Sequence, residues 1–390
     1  MKARRRWKTE IRPETDIFRF EILQSGTMEK RLKIKKFSIA RLKMKHRRSK
    51  AYINRIMIIL LAAVFILAVA CGRGLGFFTN IEETPYNTEE TDRIVVGVSQ
   101  LGSESRWRTA NTESIQAALT KQNGYFLIFN NARQKQENQI KAIRSFISQR
   151  VDYIVFAPVV ETGWETVLQE AKEAGIPVIL MDRRVDVADK SLYATCVGSD
   201  FITEGELAGQ WLAEDLERRR AADDPVNIVV LKGTEGSSSQ IGRTVGFGTE
   251  AVKHENWVIL EQAFADFTSA KGKEVMESLL KKYKDIDVVV SQNDDMTFGA
   301  IEAIRESGRS TGVGGDITII SFDAARDALE MVQSGIINVD IECNPNQGEY
   351  ISEVIRSLEE GREVEKKYYV EEHVYTMENV TEEILKQRNY

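Results

Sequence analysis

Residues 134–181 read QKQENQIKAIRSFISQRVDYIVFAPVVETGWETVLQEAKEAGIPVILM. Between Gln136 and Gln149 the apolar residues Ile140, Ile143 and Ile147 recur at i, i+3 and i+7, the stripe of an amphipathic helix. Tyr153 to Ala157 follows as a short unbroken apolar run, the pattern of a strand covered on both faces. Trp164 to Ala174 is helical again and stops at Gly175, a C-cap signal, before the strand Pro177 to Met181. Two consecutive strands joined through a helix run parallel, so this stretch predicts an α/β fold.

The alternation extends in both directions. Upstream lie a strand at Ile94 to Ser99, a helix at about Trp107 to Asn123 and a strand at Phe126 to Asn130; downstream, a short strand at Tyr193 to Val197 leads into a helix from Ile202 to Arg220. A second series then begins with strands at Asn227 to Leu231, Val258 to Ala263, Val288 to Ser291, Thr318 to Ser321 and Ile337 to Cys343. Helices at Ser238 to His254, Ser269 to Lys284, Met296 to Ser307 and Arg326 to Ser334 separate them. Two successive α/β halves of similar size imply two lobes. Open parallel sheets bind ligands beyond the carboxyl ends of their strands, so facing lobes would trap a small molecule between them.

The chain has 390 residues and a net charge of −6, which conceals a strong asymmetry. Residues 1–55 hold 19 Lys/Arg against five Asp/Glu, a net of +14, and the remainder carries −20. Between them Ile56 to Ala70 is uninterrupted apolar sequence, about 22 Å as a helix, short of the ~30 Å hydrocarbon core and typical of a signal-peptide apolar region. The basic flank Lys43, Lys45, Arg47, Arg48, Lys50 and Arg55 stays cytoplasmic by the positive-inside rule, which puts the rest of the chain outside the cell. Leu67 to Gly72 resembles a lipobox with Cys71 as the lipidated residue, although Ala68 stands where Leu is usual. Lipidation at Cys71, an uncleaved anchor and conventional secretory cleavage all remain open, and all share this topology. Residues 1–43 exceed what a signal peptide needs: either Met28 or Met44 is the true start, or the segment is a basic tail for anionic lipid or nucleic acid. No helix-turn-helix pattern or aromatic-basic interleaving supports nucleic acid as a partner. Residues 72–92 read as a tether.

Just past the strand ends stand Gly102 to Arg108, Asp182-Arg183, Arg243, Asp266-Phe267, Gln292-Asn293-Asp294, Phe322-Asp323 and Glu342 to Pro345. Carboxylates, amides and guanidinium forks with aromatics suit a sugar. Adjacent hydroxyls both donate and accept, and an indole such as Trp107 covers the apolar face of the ring. Chemistry on the ligand is not indicated. His46, His254 and His373 lack metal-ligand spacing, no G-x-S-x-G or H-E-x-x-H occurs, and Gly233 to Ser239 lacks the ending of a phosphate loop and reads as a flexible turn. Neither a cofactor nor a metal is expected. Trp164 reads as helix-start packing, and Asp294 and Asp295 as an N-cap and a helix-dipole partner.

From about Arg93 onward the chain resembles the type I periplasmic sugar-binding proteins, the galactofuranose-binding components of ABC importers above all. The likeness is carried by VGVSQLGSESRWRTANTESI at 96–115, QKQENQIKAIRSFISQRVDYIVFAPVVETGWETVL at 134–168, MDRRVDV at 181–187, VGFGTE at 245–250 and IECNP at 341–345. It implies two lobes with three hinge crossings, residues 93–198 with 344–372 in the first and 199–343 with 373–390 in the second. It further implies that a monosaccharide is contacted by Glu104, Ser105, Arg106, Trp107, Arg108, Asp182, Arg183, Arg243, Asn293 and Asp323. Arg106 departs from the smaller residue usual before the Trp. The implied role is that of a monomeric extracytoplasmic binding protein, held at the outer face of the cell membrane by a lipid or an amino-terminal helix, that delivers the sugar to ABC permease subunits. The alternative is a sugar-sensing partner of a membrane receptor or histidine kinase. A soluble repressor of this fold would need a DNA-binding head inside the cell, against the apolar run. Cys196 and Cys343 both fall near expected crossings, which leaves open a disulfide or two buried thiols.

Overall fold

A computed structural model describes residues 93–219 and 221–390. The expectations for 1–55, the apolar segment 56–71 with Cys71, the tether 72–92 and Arg220 lie outside the described residues. Among the described residues no helix is long and apolar enough to cross a membrane.

The first sheet is built from β1 (Ile94–Gln100), β2 (Tyr125–Asn131), β3 (Tyr153–Phe156), β4 (Val178–Met181) and β5 (Thr195–Gly198), with β11 (Lys367–Tyr369) added late in the chain. Their order is β11-β5-β4-β3-β1-β2, and every pairing is parallel. α1 (Arg106–Ala118) and α9 (Gly348–Glu359) cover one face, where Ile115, Ile351 and Ile355 meet Val96 and Val155. On the other, α2 (Gln136–Gln149) and α3 (Glu165–Glu173) bring Ile143, Phe146 and Leu168 against Ile154 and Leu180. Covered on both sides, β3 and β4 are buried at every position, the reason for their continuous apolar sequence. Trp164 caps α3 with its ring 4.9 Å from Phe156 and its indole N–H on the Val160 carbonyl, so it serves the core as expected.

The second sheet repeats the plan with β6 (Val226–Lys232), β7 (Trp257–Phe264), β8 (Val288–Ser291), β9 (Thr318–Asp323), β10 (Val339–Glu342) and β12 (Val374–Thr376), in the order β12-β10-β9-β8-β6-β7. α4 (Phe201–Arg218) and α5 (Ser238–Ala251) lie on one face, and α6 (Ser269–Lys282), α7 (Asp294–Glu306), α8 (Arg326–Gln333) and the short α10 (Glu382–Gln387) on the other. One strand departs from the all-parallel expectation, since β12 runs antiparallel to β10. The chain re-enters this lobe at the carboxyl end of β10, where the Glu342 N–H donates to the His373 carbonyl, and can only continue backward along that edge.

The chain passes between the sheets three times: after Gly198, after Glu342 and after Tyr369. These crossings are tied to one another. Ser199 donates its hydroxyl to Glu372, which also accepts from the Asn344 N–H at 2.9 Å, and Ser199 Oγ lies 3.2 Å from Cys343 Sγ. Burial, then the neighbouring Glu204, pushes the Glu372 carboxyl up to about 9, so it is protonated at neutral pH. Of the two readings of the cysteines, the structure rejects the disulfide: both thiols are free and buried. Cys196 points from β5 into the core beneath Trp164, whereas Cys343 sits in the hinge against Trp107 and Phe201.

α4 and α5 pack through glycines. A Cβ on Gly246 would stand 2.0 Å from the Ile202 carbonyl oxygen, and one on Gly205 would stand 2.5 Å from that of Arg243. Gly248, on the same helix, faces nothing within 4 Å. Gly246→Ala is therefore expected to destabilise the protein by about 1–3 kcal/mol through overpacking, whereas Gly248→Ala gains up to about 1 kcal/mol of helix propensity. Urea unfolding of the two variants checks this, and equal effects would refute the close-packing account.

Candidate functional site

The cleft between the lobes narrows to a small cavity lined from both sides. Glu104, Ser105, Trp107, Arg108, Asp182 and Arg183 come from the first lobe; Arg243, Asn293 and Asp323 from the second. Nine of the ten residues expected at the sugar therefore converge. Arg106 does not line the cavity. Its side chain is half exposed outside, ion-paired with Asp327 and 5.5 Å above the Phe298 ring, while its N–H donates to Asp295 Oδ2 at 3.3 Å. It acts as a latch between the lobes.

Local structure explains the convergence. Ser105 caps α1 by accepting from the Arg108 N–H, and the first turn of the helix carries Trp107 and Arg108 inward. At the ends of β4 and β9, Asp182 and Asp323 adopt positive φ, 58° and 111°, and Phe267 beyond β7 does so at 58°. Non-glycine residues enter this region at a cost of order 1–3 kcal/mol, and such strain gathers at functional sites. Gly233 makes room for Phe267, because a Cβ there would lie 1.8 Å from the ring.

Each lobe neutralises its own charges. Arg108 donates through Nη2 to Asp182 Oδ2 at 2.6 Å and through Nε to Glu104 Oε1 at 3.2 Å; burial opposes its charge, but these two carboxylates outweigh it and raise its pKa. Across the cleft Arg243 donates to Glu204 Oε2 at 2.6 Å, to Asp323 Oδ1 at 3.3 Å and to the Gln292 carbonyl, between the rings of Phe201 and Phe322. Asp323 is pushed well up by burial despite that contact. Arg183 is the least satisfied member. It donates through Nη1 to the Val159 carbonyl at 3.1 Å and lies 5.3 Å over the Phe267 ring, but its Nε has no hydrogen-bond partner. Burial, then repulsion from Arg108, lowers its pKa to about 10, which still leaves it charged at neutral pH. Glu104 Oε2 is likewise buried and unpartnered. Buried polar groups normally find partners, so atoms left over in a cavity mark where a ligand bonds.

Asn293, not Asp294, is the N-cap of α7, accepting from the Met296 N–H at 3.0 Å; Asp294 and Asp295 occupy the first turn. Trp107 is both wall and core, buried against Phe201 with its indole N–H on the Cys343 carbonyl. Four lining residues were absent from the expected set: Phe201, Ser239, Phe267 and Cys343. Phe267 and Cys343 were among the residues read just past the strand ends but not among the ten expected at the sugar. Phe201 and Ser239 open α4 and α5, and only the packing of those helices turns them inward. Glu204, Cys343 and Glu372 bring potential ligand atoms within 4.8 Å of one another. With Arg243 on Glu204 and the hinge hydrogen bonds on Glu372, they form a polar hinge rather than a metal centre.

The model of the periplasmic binding protein domain matches residues 96–363. The galactofuranose-binding protein of Escherichia coli K12 is 44% identical over 301 residues, 76% of this chain and 92% of that protein. A Mycobacterium smegmatis protein solved with β-D-fucofuranose is 44% identical and superposes with a TM-score of 0.70, covering 74% of this chain and 92% of the other. The periplasmic component of the arabinose ABC transporter of Shewanella sp. ANA-3, solved with α- and β-L-arabinofuranose, is 41% identical at a TM-score of 0.70, covering 76% and 95%. With the family model spanning most of the chain and a two-lobed cleft of this construction, the chain belongs to the periplasmic binding protein family.

Proposed function

We propose that this protein captures a monosaccharide in its five-membered ring form, galactofuranose or a close relative, and presents it to the permease of an ABC importer. The observation that carries the reading is the cavity itself. Arg183 and Glu104, each with a buried side-chain atom that lacks a hydrogen-bond partner, line it together with Arg243, Asn293 and Asp323 from the opposite lobe, and Trp107 and Phe267 supply apolar walls. Such groups bind adjacent hydroxyls without reacting with them. Every cavity carboxylate is tied to a guanidinium, Glu104 and Asp182 to Arg108 and Asp323 to Arg243. The family works outside the cytoplasm, and the relatives named above support import rather than sensing. The lobe division at 93–198 with 344–372 and 199–343 with 373–390, the monomeric state and the lipid tether at Cys71 belong to the same proposal.

Calorimetry against methyl furanosides and methyl pyranosides of galactose, fucose and arabinose tests the ligand, because each glycoside is locked in one ring size. Saturable heat from furanosides is expected. A response confined to pyranosides would sink the ring assignment.

The two arginines at the cleft separate contact from closure. Arg183→Ala is expected to lose about 1.5–3 kcal/mol of binding, at least about tenfold in Kd, with the fold intact. Arg106→Ala, which breaks an exposed and salt-screened pair, is expected to cost no more than about 1 kcal/mol and to act on the dissociation rate. Stopped-flow binding at low and high salt distinguishes them, and a variant at Arg183 that binds like the parent would make Asp182-Arg183 a structural pair only.

Mass spectrometry of the membrane fraction is expected to find a lipidated amino terminus at Cys71. An intact peptide spanning Ala70 and Gly72 would establish an uncleaved anchor instead.

A further inference from the structure

Behind Asp323 lie two carboxyls that do not line the cavity. Asp294 opens α7 and Asp340 sits on β10, and both are buried, at 1% and 0% exposure. Asp340 Oδ2 has no hydrogen-bond partner. The remaining oxygens all grip one short segment. Asp340 Oδ1 accepts from the Ala324 N–H at 3.1 Å, Asp294 Oδ2 from the Ala325 N–H at 2.7 Å and Asp294 Oδ1 from the Ser321 hydroxyl at 2.6 Å.

That segment needs holding. Asp323 and Ala324 are consecutive non-glycine residues at φ of 111° and 57°, a conformation that persists only where the surroundings impose it. Asp323 itself is held by a single 3.3 Å bond from Arg243. We propose that Asp294 and Asp340 are positioning residues that clamp the turn 323–325 and so aim the Asp323 carboxyl at the ligand. This rests on the reading of the cavity as a sugar site.

Charge is crowded here. Asp323 and Arg388 act on Asp340, while Arg243, Asp294, Glu204 and Asp295 act on Asp323. Burial raises the pKa of both Asp294 and Asp340, and for Asp294 the adjacent Asp340 carboxyl raises it further.

Asp340→Asn in the full chain keeps the oxygen that accepts from the Ala324 N–H, and Asp340→Ala removes it. The Asn variant's affinity for methyl β-D-galactofuranoside is expected within about twofold of the parent at about pH 7, and the Ala variant's at least about tenfold weaker. An Asn variant as weak as the Ala variant, or an Ala variant that binds like the parent, would overturn the proposal. Hydrogen exchange of the Ala324 amide in the ligand-free proteins supplies a reading independent of sugar: faster exchange in Asp340→Ala than in the parent and the Asn variant is expected, and equal exchange in all three would also overturn the proposal. Should the parent bind no furanoside, the ligand assignment fails while the exchange result still decides the clamp.

Discussion

The pairing of buried guanidiniums with buried carboxylates inside each lobe governs the rest of this structure. An ion removed from water without a partner costs several kcal/mol, and truncating one member of a buried pair is similarly expensive. Arg108 is compensated by Glu104 and Asp182 within the first lobe, and Arg243 by Glu204 and Asp323 within the second. Neither half of the site depends on the other, or on a ligand, to neutralise its charge. The lobes are free to separate without stranding an ion, and a neutral sugar is free to enter and leave by exchanging hydrogen bonds with water.

The backbone serves the same end. Three cavity residues, Asp182, Phe267 and Asp323, stand just past or at strand ends in left-handed conformations, and after other strands, β1, β5, β6 and β8, the helices α1, α4, α5 and α7 begin under the caps Ser105, Asp200, Ser237 and Asn293. A strand end followed by a capped helix places both a side chain and a helix start on the cavity. The two sheets repeat this device toward each other, so the carboxyl edges of both contribute to one site.

The helix 136–149 was legible because its apolar stripe needs no tertiary information, and its limits in the structure coincide with those read from sequence. Asp182, Arg183, Asn293 and Asp323 were legible because strand ends of parallel sheets are where such folds present side chains. Arg106 was not, since membership of a contiguous motif says nothing of direction: one helical step of about 100° separates it from Trp107 and turns it toward the other lobe. The state of Cys196 stayed open in the sequence for the converse reason: nearness to a crossing says nothing of direction, and its thiol joins the core although the chain crosses only three residues later. The elements after Cys343, α9, β11, β12 and α10, escaped the sequence reading. β11 and β12 are three-residue edge strands whose existence depends on the β5 and β10 edges they join.

Closure follows from the balance between hinge and latch. The three crossings are tied at Ser199, Cys343, Asn344 and Glu372, close to the hinge axis, where hydrogen bonds need change little as the lobes rotate. At the far edge, the contact between Arg106 and Asp327 is exposed and screened by salt, so by itself it holds the lobes together only weakly. The free energy of the closed state must therefore come chiefly from groups that meet across the cavity. Those groups are already charge-balanced within their own lobes and lack a strong attraction for one another. In the proposed function, a sugar that bonds to Arg183 and Glu104 on one side and to Asn293 and Asp323 on the other supplies the missing link, and ligand occupancy and closure become the same event, which is what a carrier that signals its load by its shape requires.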